Sequence, residues 1–375
     1  MKNVMLVAGE ASGDQHGAEI VTHLKQTAHC FGIGGRHMQA AGMEILFDAA
    51  QIAVMGFIEV LKHFPAISQA WKVAKHAIDT QKPDLLILID YPGFNLRLAR
   101  YAKQQGIKVL YYISPQVWAW RQNRVYTIKQ CVDHMAVIFP FEVPFHEKAH
   151  VPVTFVGSPL VEQVQPIGNA ATAAERLELP NTKTLIGLLP GSRHSELERL
   201  LPTMVASAQL LRQHDPNIHF VLPVASTLKL ADFMAHIAPI EDAVTLVEQD
   251  THVAIEACHA VICSSGTATL ETALLQTPMV VIYKTSALTY SLAKRLIRIP
   301  HIALCNIVAG KAIVQEYIQD AATPEAISQE IIRLLSNENY LKQMKMELAK
   351  IAEKLGEPGA AEKVAHLAKT LLTRE

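Results

Sequence analysis

The chain has 375 residues, a formal net charge of −1 and 18% charged residues. Its length is too great for one ordinary core and suits two domains. The balanced charge excludes a global basic field, so no nucleic-acid partner is expected. Five scattered cysteines without a C-x-x-C pair argue against a disulfide framework or a cysteine zinc site, and favour a reducing compartment.

The first half of the chain alternates short apolar runs with helical patterns. Its N-terminus lacks a cleavage signature and is predicted to form a strand rather than a signal peptide. Strands buried on both faces of a parallel sheet are predicted at residues 3–8, 85–89, 109–113, 135–139 and 154–156. Helices are predicted at 13–26 and 94–105. These elements predict a first domain of residues 1–165.

The pattern starts again after a polar, alanine-rich linker at residues 161–183. A helix is predicted at 195–214, among strands at 184–189, 219–223, 244–247, 260–263 and 279–283. Two successive βα series predict an α/β protein with two doubly wound, Rossmann-like domains facing a cleft, where the ligand is expected. The second domain is predicted at 184–340. The helical tail at 341–375 is expected to pack back across the first domain.

Two loops that follow predicted strands of the first domain carry candidate site residues. The sequence GEASGD at residues 9–14 offers Ser12 and Asp14 for ligand binding, although both residues equally suit helix caps. It is not G-x-G-x-x-G, so a nicotinamide or flavin site is poorly supported. Asp90 follows an apolar strand, where a carboxylate serves as a general base or only orders the turn.

Two loops of the second domain suit a phosphate. Backbone N–H groups of Gly191 and Ser192 and the guanidinium of Arg193 are candidates for a diphosphate, although capping or a surface role is as common for G-S-R. In the segment at residues 263–271, a turn of small residues leads into a predicted helix. The unpaired N–H groups at such a helix N-terminus favour phosphate binding over simple capping. Its candidate residues are Ser265, Gly266, Thr267 and, for a ribose diol, Glu271.

Two tryptophans lie beside an arginine in SPQVWAWR at residues 114–121. Such a group lines a sugar or acyl pocket in some proteins, but packing is the commoner role of tryptophan. No H-E-x-x-H spacing is present, so neither a metal nor another cofactor is expected.

These motifs together resemble the lipid-A-disaccharide synthase family. The resemblance rests on GEASGD at 9–14, IDYPGFN at 89–95, SPQVWAWR at 114–121, GLLPGSR at 187–193 and SSGTATLE at 264–271. Matching segments at 306–316 and 356–361 extend it over nearly the whole chain. The resemblance adds Asn306 and Glu316 to the expected substrate- and nucleotide-binding residues.

The resemblance implies a metal-independent, inverting glycosyltransferase with a two-domain GT-B fold. The implied donor is UDP-2,3-diacylglucosamine, the acceptor is 2,3-diacylglucosamine 1-phosphate, and the product is a β-1,6-linked disaccharide 1-phosphate. Asp90 matches the family's essential aspartate, and Arg193 matches the arginine expected to act on the diphosphate. Residues 91–93 read Tyr-Pro-Gly where some relatives carry Ala-Pro-Asp, which leaves a second acid in this loop without support.

The acylated substrates imply contact with a membrane. No uninterrupted apolar stretch reaches the roughly 18 residues of a membrane span, so the expected location is peripheral, at the cytoplasmic side of the inner membrane. The apolar segment at 55–64 is interpreted as an interfacial helix, with a core helix as the alternative. A homodimer is possible.

Two other functions remain open from the sequence. An enzyme similar to UDP-N-acetylglucosamine 2-epimerase uses paired α/β domains around UDP. A non-catalytic carrier of nucleotide sugars or lipids is the alternative from a different class.

Overall fold

The structure is a computed structural model that describes residues 1–52, 64–180, 182–286, 290 and 299–373. Within these ranges the chain forms two compact units, one of Met1–Pro159 with Gly356–Glu375 and the other of Leu160–Leu355. The segment interpreted as interfacial, 55–64, lies outside the described residues except for Phe64. No helix in the described part of the chain is long and apolar enough to cross a bilayer.

The first unit contains a seven-stranded parallel sheet with the order β3-β2-β1-β4-β5-β6-β7. Its strands are β1 Lys2–Ala8, β2 Ala28–Gly34, β3 Glu44–Asp48, β4 Leu85–Ile89, β5 Lys108–Tyr112, β6 His134–Val137 and β7 Val153–Phe155. Its helices up to residue 159 are α1 Ala11–Leu24, α2 Arg36–Ala41, α3 Phe64–Gln81, α4 Pro92–Gln104, α5 Arg124–Cys131 and α6 Glu142–Lys148. A 3₁₀ helix spans Ala49–Gln51.

The second unit contains a six-stranded parallel sheet with the order β10-β9-β8-β11-β12-β13. Its strands are β8 Thr184–Leu189, β9 Ile218–Pro223, β10 Val244–Val247, β11 Ala260–Ser264, β12 Met279–Tyr283 and β13 Gln315–Ile318. Its helices are α7 Leu160–Gln163, α8 Ala170–Arg176, α9 His194–His214, α10 Ala231–Ile237, α11 Thr251–Glu256, α12 Ala268–Leu274, α13 Leu304–Ala309, α14 Pro324–Ser336 and α15 Glu338–Leu355. Two 3₁₀ helices span Ala238–Ala243 and Gln319–Ala321.

The central strands are buried on both faces, as their continuous apolar sequences predict. All five residues of β4, Leu85–Ile89, are fully buried between β1 and β5. Helices cover both faces of such a sheet because each face must be removed from water. The predicted class, α/β with two parallel, Rossmann-like sheets, is confirmed.

The chain returns to the first unit through its last helix, α16 Ala360–Thr373. Its buried residues, among them Val364 and Ala368, share a core cluster with Ile20 and Leu24 of α1. The preceding helix α15 packs instead on α12 and α13 in the second unit. The C-terminal helices therefore divide between the two units.

Three candidate site residues hold backbone segments within their own unit. The Asp14 carboxylate accepts N–H hydrogen bonds from Gly35, His37 and Met38 at the start of α2, and contacts the His37 ring. In the second unit, Glu316 accepts from the Ile302 and Ala303 N–H groups before α13 and from the Asn306 amide. Asn306 is fully buried and also pairs with the backbone of Ile313 and Val314.

The buried carboxylate of Glu256 ties the segment before α8 to α11. It accepts hydrogen bonds from the Ile167 N–H at 2.8 Å and the Gly168 N–H at 3.1 Å. A buried N–H that loses its acceptor costs about 1–3 kcal/mol.

Glu256→Ala is expected to lower the free energy of unfolding by about 2 kcal/mol because two backbone donors lose their acceptor. Urea denaturation measures that loss, and hydrogen exchange at the Ile167 and Gly168 amides should accelerate. Glu175→Ala, at an exposed position of α8, is the matched control. Unchanged exchange at both amides would show that Glu256 does not hold this segment.

Candidate active site

The candidate residues of the first unit lie where neighbouring strands end. Strand β1 pairs in parallel with β4, and β4 pairs with β5, so Ala8, Ile89 and Tyr112 stand in register at one edge of the sheet. The loops that start at Gly9, Asp90 and Ile113 therefore emerge side by side. Open α/β sheets bind ligands at this carboxyl edge.

Asp90 lies in a turn of unusual backbone geometry. Asp90 and Tyr91 have φ angles of +46° and +48°, in the left-handed region that non-glycine residues rarely adopt. The Asp90 carbonyl accepts hydrogen bonds from the Tyr111 hydroxyl at 2.6 Å and the Asn95 amide at 2.8 Å. A Cβ atom on Gly9 would overlap the Tyr91 ring, so only glycine permits this packing.

The Asp90 carboxyl is less acidic than an ordinary aspartate. Burial, followed by the negative charge of Glu10, raises its pKa to about 6, while a backbone hydrogen bond from Tyr91 opposes the rise. A general base works best when its pKa is close to the working pH, because it is then largely ionised and still basic enough to accept a proton. The geometry and the acidity both suit a proton acceptor.

A second acid of the same unit, Glu142, was not among the predicted site residues. Its side chain is 1% exposed and accepts hydrogen bonds from the Trp118 indole at 3.2 Å and the Phe139 N–H at 3.1 Å. Burial raises its pKa to about 8; these hydrogen bonds oppose the rise and the charge of Asp90 adds to it. Near neutral pH the two acids therefore hold different protonation states.

Helix α6 fixes the segment at residues 114–118 at both ends. Glu142 bonds to Trp118, and one turn later the ring of His146 lies 2.9 Å from the Ser114 hydroxyl. His146 is fully buried, and burial lowers its pKa to about 4, so the ring is neutral. Packing is the role that the sequence favours for Trp118, and the indole is indeed buried, but it also donates a hydrogen bond.

The two candidate residues of the loop at 9–14 have different environments. Ser12 is exposed in the first turn of α1. Asp14 is buried, and although burial raises its pKa, the hydrogen bonds at the start of α2 hold the pKa below its ordinary value. The Asp14 oxygens are thus already engaged within the unit.

The Gly191–Arg193 loop of the second unit already holds a carboxylate. Gly191 has a φ of +111°, and a Cβ atom there would overlap the Glu196 carboxylate. Glu196 accepts hydrogen bonds from the Ser192 N–H at 3.1 Å and Arg193 Nη1 at 3.2 Å. The Arg193 side chain is 56% exposed. The loop therefore offers an N–H group and a guanidinium to one anion.

The second small-residue turn, at Gly266, follows β11, which is the strand next to β8. Strands β8 and β11 pair in parallel, so the Gly191 and Gly266 loops share one edge of the sheet. A Cβ atom on Gly266 would meet open space, and Thr267 is exposed. Ser265 donates a hydrogen bond to the Ile302 carbonyl at 2.8 Å, while Glu271 lies 3.4 Å from the His252 ring.

The predicted residues thus form separate groups. Asp90 and the loop bearing Ser12 share the edge of the first sheet, whereas the Gly191 and Gly266 loops share that of the second. Asn306 and Glu316 form a buried pair beside α13. No group of three or more histidine, cysteine, aspartate or glutamate side chains in the described ranges could hold a metal ion.

Comparison with known proteins identifies close relatives over the full length. A family model described as lipid-A-disaccharide synthetase matches residues 4–371. A lipid-A-disaccharide synthase from Geobacter metallireducens is 49% identical over 377 residues, covering 100% of this chain and 98% of the relative. One from Trichlorobacter lovleyi is 51% identical over 369 residues, which cover 98% of this chain and 96% of the relative.

Solved structures share the fold at low identity. A UDP-N-acetylglucosamine 2-epimerase from Neisseria meningitidis, bound to UDP-GlcNAc, has a TM-score of 0.63 at 14% identity and covers 100% of both chains. The calicheamicin glycosyltransferase CalG4 has a TM-score of 0.62 at 14% identity, with 100% of this chain and 99% of that chain covered. Likeness at this identity supports the two-domain GT-B fold and does not separate an epimerase from a transferase.

The family match distinguishes a glycosyltransferase from an epimerase. The epimerase shares the fold alone, whereas the synthases share about half of all residues along the whole chain. The resemblance inferred from the sequence motifs is thereby confirmed: the chain belongs to the lipid-A-disaccharide synthase family.

Proposed function

We propose that the chain transfers 2,3-diacylglucosamine from UDP to 2,3-diacylglucosamine 1-phosphate, forming the β-1,6-linked disaccharide 1-phosphate and UDP. Family membership makes it a glycosyltransferase that uses a UDP-sugar and a lipid acceptor. The observation that carries the mechanism is the half-buried Asp90 carboxyl at the edge of the first sheet, whose pKa is raised to about 6.

Asp90 is the proposed general base. An alcohol is a weak nucleophile until a base accepts its proton. As the acceptor 6-oxygen attacks C1 of the donor sugar, its proton passes to Asp90, and the bond from C1 to the diphosphate oxygen breaks. Attack from the face opposite UDP inverts the anomeric centre. The two left-handed residues and the held carbonyl fix where the carboxyl can lie.

The second unit is the proposed site of UDP. Arg193 would offset charge on the departing diphosphate, helped by backbone N–H groups at Gly191, Ser192 and Gly266. The contact with Glu196 supports this role, because the loop already binds a carboxylate through an N–H group and the guanidinium. The diphosphate would replace Glu196 there.

The remaining candidates receive proposed roles that fit their surroundings. Ser12 is exposed and suits direct contact with substrate, as do Ser265, Thr267 and, toward the ribose, Glu271. Asp14 would act by holding the loop at 9–14 to α2. Asn306 and Glu316 would likewise shape the nucleotide site through the backbone that they hold.

The acylated substrates favour work at a membrane surface. We place the protein on the cytoplasmic side of the inner membrane, attached peripherally, with the apolar segment at 55–64 as the contact predicted from the sequence. Phe64, at its end, is 65% exposed. A homodimer stays a prediction.

Asp90→Asn is expected to lower turnover by about 10² or more because the amide cannot accept the proton. UDP binding, measured by calorimetry, should stay near the wild-type value, which also shows that the variant is folded. Asp79→Asn, on the exposed side of α3, is the control. Near-normal turnover of Asp90→Asn would remove the base role.

As the pH is lowered, kcat/KM should fall on the acid limb of its profile near pH 6, because protonation of Asp90 removes the base. Glu10→Gln should move that limb to lower pH, because loss of the neighbouring charge lowers the pKa of Asp90. Glu147→Gln, at an exposed position of α6, should leave the limb in place. An acid limb that stays unmoved in Glu10→Gln would contradict the assignment to Asp90.

Arg193→Ala should reduce kcat by about 10²–10³, since a donor aimed at developing negative charge contributes that much. Arg193→Lys should restore part of the activity, because it keeps the charge but loses the forked geometry. Arg199→Ala, at an exposed position of the following helix α9, is the matched control. A kcat of Arg193→Ala equal to that of the control would exclude the leaving-group role.

A further inference from the structure

The segment after β5 carries an exposed tryptophan that two arginines contact. Trp120 is 40% exposed, whereas residues 117–119 before it are buried. The guanidinium of Arg121 lies 4.7 Å from the centre of the Trp120 ring, and that of Arg124 lies 5.8 Å from it. The indole thus gathers two positive charges at one point of the surface.

In the described part of the chain, neither of these two charges is paired with an acid. Among the residues that the structure describes, no salt bridge involves Arg121 or Arg124, whereas Lys103 on the adjacent helix α4 pairs with Asp133. Two guanidinium groups held together without a carboxylate form a site for an anion. Arginine suits phosphate in particular, because its forked donors match two phosphate oxygens.

The site rests on a fixed support. The Trp118 indole is bonded to Glu142, and the Trp118 carbonyl accepts a hydrogen bond from the Gln122 amide at 3.0 Å. At the other end of the segment, Ser114 is held by His146. The backbone that carries the arginines is therefore held before an anion binds, which lowers the entropy lost on binding.

The site belongs to the same sheet edge as the proposed base. The Asp90 N–H donates to the Tyr112 carbonyl at 2.9 Å, and the segment leading to Trp120 starts two residues after Tyr112. In the proposed acceptor, C5 carries the 6-hydroxymethyl group and C1 carries the phosphate, and these two carbons flank the ring oxygen. A phosphate site within the length of one hexose of the base is therefore expected, and the loops of this sheet edge are the nearest candidates.

We infer that Trp120, Arg121 and Arg124 form the binding site for the sugar 1-phosphate of the acceptor and select a phosphorylated over an unphosphorylated sugar. This inference rests on the proposed function and identifies the residues that would determine its specificity for the acceptor. The ligand is a phosphomonoester; a phosphodiester lipid headgroup offers similar chemistry, and the experiment separates the two.

The test compares two acceptors, 2,3-diacylglucosamine with and without its 1-phosphate, using Arg121→Ala, Arg124→Ala and the double variant. The KM for the phosphorylated acceptor should rise about 10-fold or more in the double variant, as expected for lost hydrogen bonds to a charged group. The preference for the phosphorylated acceptor should collapse, while the KM for the UDP donor stays unchanged. Lys129→Ala, exposed on the same helix α5, should behave as wild type.

Two results would overturn the inference. The first is a double variant that keeps the wild-type preference for the phosphorylated acceptor. The second is an equal loss with both acceptors together with weaker binding to phosphatidylglycerol vesicles, which would assign the arginines to a lipid surface. Failure of the proposed function looks different, because the wild-type protein would then release no UDP with either acceptor.

Discussion

Two hydrogen bonds to one carbonyl oxygen, that of Asp90, hold the turn on which the proposed chemistry depends. The Tyr111 hydroxyl reaches it from β5, and the Asn95 amide reaches it from the following helix. Left-handed geometry at two successive non-glycine residues costs free energy and persists only where its surroundings enforce it. Parallel pairing with β1 and β5 places this turn among the loops of one sheet edge, so the backbone fixes the carboxyl before any substrate arrives.

Burial then gives the two acids of this unit different roles. Asp90 has a pKa raised to about 6 and is mostly ionised near neutral pH, whereas Glu142, with a pKa raised to about 8, is mostly protonated. Separated pKa values are how one site keeps a base and a neutral acid side by side. Ionised Asp90 helps to keep Glu142 protonated, and Glu142 in turn holds Trp118. The base and the segment bearing the arginine pair are thus linked through one buried carboxyl.

Sequence patterns predicted the central strands well because burial on both faces leaves continuous apolar runs, as in β4. Strands β2, β3 and β13 were not predicted, since glycines interrupt the first and partly exposed residues form the other two. Asp90 was proposed from its place after a strand. Glu142 was not, because its burial and its Trp118 partner arise from tertiary packing, although an acid just after β6 was a usable signal. The partners of Asp14 and Glu316 are equally invisible locally, since they lie 10 or more residues away along the chain.

The central claim is that one carboxyl in the first unit receives the acceptor proton while an arginine in the second holds the departing diphosphate. A crystal structure with UDP and 2,3-diacylglucosamine 1-phosphate bound together tests it most directly. The account predicts the acceptor 6-hydroxyl within hydrogen-bonding distance of Asp90, about 2.6–3.2 Å, and the guanidinium of Arg193 on the diphosphate. An acceptor hydroxyl bonded to another group, with Asp90 facing away from it in that complex, would contradict it.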